Sequence, residues 1–147
     1  LFRDIPEEKV VVEFINQDKK ILNFIKSKTL NGFFSYKHLS LKPSIGDLLL
    51  VRLQPVGNDG FFKVLTIKET SEDNLEDLDI IKNTKGTLRQ NEGQNFAFVE
   101  DIFISPDLID KHNLKNNEQV EGLALLSLNK KKNEWGWKLI KIINGNV

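Results

Sequence analysis

The chain has 147 residues, 39% hydrophobic and 29% charged, with 21 basic side chains balancing 21 acidic ones, the composition of an ordinary soluble globular protein. It contains no cysteine, which excludes disulfides, thiolate zinc sites and cysteine nucleophiles, and no apolar run near the ~20 residues that span a bilayer. Its start lacks the basic-then-apolar order of a signal peptide, so a cytoplasmic location is expected; with no methionine anywhere, the sequence reads as a piece of something longer.

Charge is unevenly spread along the chain. Residues 9–69 hold ten Lys or Arg against five Asp or Glu, residues 70–84 hold five acids and one lysine, and residues 85–147 hold nine bases and eight acids. A basic block followed by an acidic one points weakly to a polyanionic partner.

The first block, residues 9–69, opens on an apolar strand, "KVVVEFIN", followed by two turn-linked strands in "KKILNFIKSKTLNGFFSYKHLS". "DLLLVRL", the glycine-containing turn "QPVGNDG" and the closing "FFKVLTIKE" complete five short strands. Phe34, Tyr36 and His38 alternate in phase, so with Phe24 they are expected to form an exposed stacking face, leaving Phe33 for the core. Lys19, Lys20, Lys26, Lys28 and Lys37 decorate this block.

Residues 70–84, "TSEDNLEDLDIIKNT", read as an acidic linker whose Leu75, Leu78, Ile80 and Ile81 support at most a short helix. No glycine occurs between Gly60 and Gly86, so the acids do not form a calcium-binding EF-hand loop. The linker is a candidate competitor for the basic block, through Glu72, Asp73, Glu76, Asp77 and Asp79.

The second block, residues 85–147, repeats the order of the first. "KGTLRQ" opens it, "NFAFV" and "DIFIS" are two strands joined by a turn, and "QVEGLALLSL", "NKKKNE" and "WGWKLIKII" follow. Phe24 lines up with Phe98, Phe34 with Phe103, and "FKVLTI" with "WKLIKI". Two copies of one small β unit are therefore expected: an all-β chain of two tandem five-stranded OB-fold, cold-shock-like barrels joined by the acidic linker. That fold binds oligonucleotides across its second and third strands and through the loops between strands one and two and between four and five.

On those strands, Ile102 and Ile104 take one face while Asp101, Phe103 and Ser105 take the other. Phe96 and Phe98 likewise oppose Ala97 and Val99. Phe96, Phe98 and Phe103 thus fall on the wet face. Lys130, Lys131 and Lys132 sit in the four–five loop, and Lys85 and Arg89 on the first strand. A lysine triplet in a turn is usually a solvated loop, but this one occupies a binding loop of the fold. Trp135 and Trp137 share one face of the closing strand and read as core.

"NFAFV" followed by "DIFIS" resembles the two ribonucleoprotein motifs of cold-shock domains, where G-F-G-F precedes D-V-F-V. The continuation "DIFISPDLIDKHNLKNNEQVEG" is similar to the RNA-binding domain of the bacterial transcription terminator Rho, with its D-I-Y-V-S-P, an isoleucine three residues on, then N-L and V-x-G; the likeness spans residues 85–142. It implies that Phe96, Phe98 and Phe103 stack bases and that Asp101 accepts a hydrogen bond from a base edge. The chain departs from the pattern where Asn95 and Ala97 replace the glycines, where Gln90 replaces a first-strand tryptophan, and where Glu100 replaces the arginine of the terminator. A cytosine preference is therefore not carried over. The many Lys, Asn and Ile codons suggest an A/T-rich bacterial genome.

No phosphate-cradling glycine loop, nucleophile elbow or dinucleotide fingerprint occurs, and His38 and His112 lie in different blocks. The expectation is a non-enzymatic module without metal or cofactor that binds single-stranded nucleic acid, RNA before DNA, by stacking and lysine–phosphate contacts. The alternative is a protein-docking module of a larger assembly, since exposed aromatics are also enriched at protein interfaces.

Overall fold

The computed structural model describes residues 4–70, 78–129 and 131–143. The chain divides into two units, Leu1–Leu75 and Glu76–Val147.

In the first unit, β1 (Glu8–Asn16), β2 (Ile21–Ile25), β3 (Asn31–Ser35), β4 (Leu48–Pro55) and β5 (Phe62–Glu69) form one sheet in the order β3-β2-β1-β4-β5. β-Branched Val10 and Val12 suit the pleated surface of β1 and bury with Leu22, Phe24, Phe34, Tyr36, Leu49 and Val51. This sheet is not closed, which corrects the expectation of two barrels. Its ends meet at a single parallel bridge between Phe33 and Phe61, where the Phe33 N–H donates to the Gly60 carbonyl at 2.9 Å. Gly32 allows this approach, because a Cβ there would lie 2.4 Å from the Gly60 oxygen and 2.6 Å from the Phe62 ring.

The expected stacking face of this unit is corrected as well. Phe24 and Phe34 are fully buried with ring centroids 5.7 Å apart, and Tyr36 is buried beside them. His38 is exposed but has none of those rings for company on the surface. Phe33, read as core, is only half-buried.

In the second unit, β6 (Ile81–Arg89), β7 (Ala97–Val99), β8 (Ile102–Ile104), β9 (Gln119–Asn129) and β10 (Glu134–Ile142) close a barrel in the order β10-β8-β7-β6-β9. The helix α1 (Pro106–His112) lies between β8 and β9. Ile102 and Ile104 point inward as their alternation predicts, joining Leu88, Ala97, Val99, Val120, Ala124 and Leu139. Ala97 is thus a core residue, so replacing a glycine there does not crowd the outer face.

β6 begins at Ile81, inside the stretch read as linker, and Ile80 and Ile81 are buried. Leu75, Glu72, Asp73, Glu76 and Asp77 lie outside the described residues. The helix α1 was not expected. Ser105 caps it, accepting from the Leu108 N–H at 3.3 Å, Pro106 starts it, and Asn113 ends it in the left-handed region. Among the described residues no helix is long and apolar enough to cross a membrane.

Candidate nucleic-acid interface

The β7–β8 hairpin builds the centre of the site. Val99 pairs with Ile102 across a two-residue turn, Glu100 and Asp101, with Glu100 at φ 56°. The next pair outward is Phe98 opposite Phe103. Side chains directly opposite on neighbouring strands lie close enough to interact, and here the two ring centroids are 5.8 Å apart. Phe96 completes a triangle, at 5.9 Å from Phe98 and 5.8 Å from Phe103. The contacts are edge-on or tilted, and Phe98 stays 38% exposed, leaving ring surface open to solvent.

The strands to either side extend this row. Arg89 of β6 stands opposite Phe98, and Lys138 of β10 pairs in parallel with Phe103. The row across four strands is therefore Arg89, Phe98, Phe103, Lys138. Arg89 is exposed and donates from Nη1 to Asn117 Oδ1 at 2.8 Å. Lys85, by contrast, is exposed beside Glu121 four residues along β6, so the structure does not bring it to the rings.

Beside the rings lies an open groove of about 380 Å³, lined by Phe98, Phe103, Trp135 and Trp137 together with Asp101, Ser127, Asn129, Lys132, Glu134, Gly136 and Lys138. Trp137 also packs against the core, and Lys82 Nζ lies 4.5 Å from its ring centroid. The assignment of Trp135 to the core is thereby corrected, whereas Trp137 serves both core and groove: the two are half-buried and furnish the groove with aromatic walls. Asp101 is exposed and makes no hydrogen bond or ion pair among the described residues. An ionised carboxylate there offers acceptors only, which suits the amino and imino donors of a base edge.

The turn from β9 to β10 carries the basic loop. Asn129 Oδ1 accepts from the Lys131 N–H at 3.1 Å and the Lys132 N–H at 3.3 Å, which shapes the turn and leaves both lysine side chains exposed. Lys132 reaches the groove. Lys130 lies outside the described residues.

Sequence reasoning missed Trp135, Trp137, Ser127, Asn129 and Lys138. The doubled tryptophan around Gly136 was the one visible signal. The position of Lys138 depends on a parallel β8–β10 pairing that no hairpin announces.

Comparison with known families decides the class. Residues 82–142 match S1/CSD-like domain 2 of the TOTE conflict systems, and residues 2–65 match S1/CSD-like domain 1 of the same systems. The chain is a tandem of two S1/CSD-like domains. The aromatic row and groove belong to its S1/CSD-like domain 2, and the open sheet to its S1/CSD-like domain 1. No curated protein matches the chain.

Proposed function

We propose that the chain is a non-enzymatic module that binds single-stranded nucleic acid, RNA in preference to DNA, on the outer face of its second S1/CSD-like domain. Bases stack on Phe98, Phe103 and the groove tryptophans, with Phe96 buttressing the pair. Asp101 receives a base-edge donor, and Lys131, Lys132, Lys138 and Arg89 follow the phosphates. The observation that carries this reading is the meeting of three phenylalanines at the β7–β8 hairpin of a closed barrel with a groove walled by two tryptophans of β10 and lined by the exposed Asp101 carboxylate. Stacking suits single strands because every unpaired base offers a π face, at roughly 1–3 kcal/mol per base. The terminator-like run from Asp101 to Gly122 supports RNA as the ligand.

Replacing Phe98 and Phe103 together by alanine tests the assignment. Affinity for a labelled RNA 12-mer is expected to fall at least tenfold while the circular dichroism spectrum is retained. Unchanged affinity would remove these residues from the site.

A second reading, docking to a protein of a conflict-system assembly, draws on two observations. The groove mixes Asp101 and Glu134 with Lys132 and Lys138, and the whole chain has no net charge. A mainly apolar protein contact loses little affinity with added salt, whereas a nucleic-acid contact weakens.

A further inference from the structure

The sheet register of the first unit repeats the row described for the second. Across β6, β7, β8 and β10 the paired residues are Arg89, Phe98, Phe103 and Lys138. Across β1, β2, β3 and the residue that precedes β5, consecutive pairs join Phe14 to Asn23, Asn23 to Phe33, and Phe33 to Phe61. Each position of one row has its counterpart in the other, including the parallel contact that ends it, so the register sets Asn23 and Phe33, rather than the buried Phe24 and Phe34, against Phe98 and Phe103.

These residues lie on the outer surface of the sheet. Their strand neighbours Ile15, Leu22, Phe34 and Phe62 pack into the core, so by alternation Phe14, Asn23, Phe33 and Phe61 face away from it. Phe14 is 53% exposed, and the half-buried Phe33 and Phe61 rings sit 5.6 Å apart. Gly32 and Gly60 draw the two chain segments together beneath them.

We propose that Phe14, Phe33 and Phe61, with Asn23 between them, form a second stacking face for single-stranded nucleic acid, in addition to that of the second domain. The inference rests on the reading of the second domain as a single-strand binder. Charge complementarity favours this occupant: Lys63 is exposed two residues beyond Phe61 on the same strand face, and Lys19 and Lys20 are exposed in the β1–β2 turn, one of the loops that flank an OB binding face. Two acids lie nearby. Asp18 is exposed in the same turn, and Asp59 Oδ1 accepts the Phe61 N–H at 3.3 Å. The two rows differ in chemistry. Phenylalanines replace Arg89 and Lys138 at the ends, and Asn23 replaces Phe98 near the centre, so the first face has its cations beside the row rather than in it, and one vacant ring position.

The test uses the 147-residue chain and an RNA 12-mer carrying photoreactive 4-thiouridine. After irradiation, crosslinks are expected in peptides containing Phe33 and Phe61 as well as in those containing Phe98 and Phe103. A second arm asks for a gain, which misfolding cannot mimic. In a chain already carrying F98A and F103A, N23F restores the missing ring and is expected to tighten residual RNA binding at least threefold. Crosslinks confined to the second domain, with N23F leaving residual affinity unaltered, overturn the second face while the proposed function stands. Failure of the wild-type chain to bind or crosslink any 12-mer overturns both.

Discussion

At the scale of single residues, the site is a set of rings whose exposure is decided by strand phase. "DIFIS" was legible because isoleucines alternate with a charged and a polar residue, leaving Phe103 outward by default. "NGFFS" was not, because two adjacent phenylalanines satisfy either phase. What sets it is Gly32, whose missing side chain lets Gly60 and Phe62 approach and so turns Phe34 inward and Phe33 out. A contact between segments some thirty residues apart leaves no local trace. Trp135 was misread for a related reason: burial of a closing strand depends on where the barrel ends. Trp135 lines the groove without belonging to the core cluster, so W135A isolates its binding role. It is expected to weaken RNA binding by about 1 kcal/mol or more, roughly fivefold, with the circular dichroism spectrum retained. Equal affinities of W135A and wild type in an anisotropy titration would take Trp135 out of the interface.

At the scale of elements, the strands were readable and their closures were not. The five-strand order of each unit follows from short β-rich runs between turn residues, whereas whether the ends join depends on side-chain fit across β3–β5 and β8–β10. α1 escaped notice because seven residues are too few to show a helical period; its signal is Ser105-Pro106 at the start and Asn113 at the end. S105A removes the cap and is expected to cost about 1 kcal/mol of stability. The long β9–β10 hairpin carries a sharper test. It is irregular between Leu139 and Lys141, and a Cβ on Gly122 there would stand 2.1 Å from the Lys141 oxygen. G122A is expected to destabilise the second domain by about 2 kcal/mol or more, as overpacking against backbone does. Gly136, exposed at the groove, has nothing within 4 Å of such a Cβ, and G136A should stay within about 0.5 kcal/mol of wild type. Urea denaturation of both variants checks the contrast; equal midpoints would contradict the role given to Gly122.

For the whole molecule, the tandem arrangement was visible as a repeated order of strands. The start of the second unit's first strand was not, because Ile80 and Ile81 look alike as linker or as strand, and only the pairing of Ile81 with Leu125 of β9 and the burial of both side chains separate the two. The overall neutrality of the chain conceals a few cations placed beside aromatic rings, and it limits how many phosphates can be neutralised. With Arg89, Lys131, Lys132 and Lys138 near the second-domain face, two to four contacts predict a log–log salt slope between about −1.4 and −2.8, at roughly −0.7 per phosphate of a single strand. A slope near zero with binding intact would favour an apolar contact and the protein-docking reading.

The most direct measurement is fluorescence anisotropy of a labelled random RNA 12-mer against the 147-residue chain, beside a DNA 12-mer of matched sequence, at two salt concentrations. Micromolar or tighter binding that weakens with salt, with RNA bound more tightly than DNA, is the predicted result. Absence of binding to either strand at low salt would contradict the central claim and leave the phenylalanine triangle as a surface for protein.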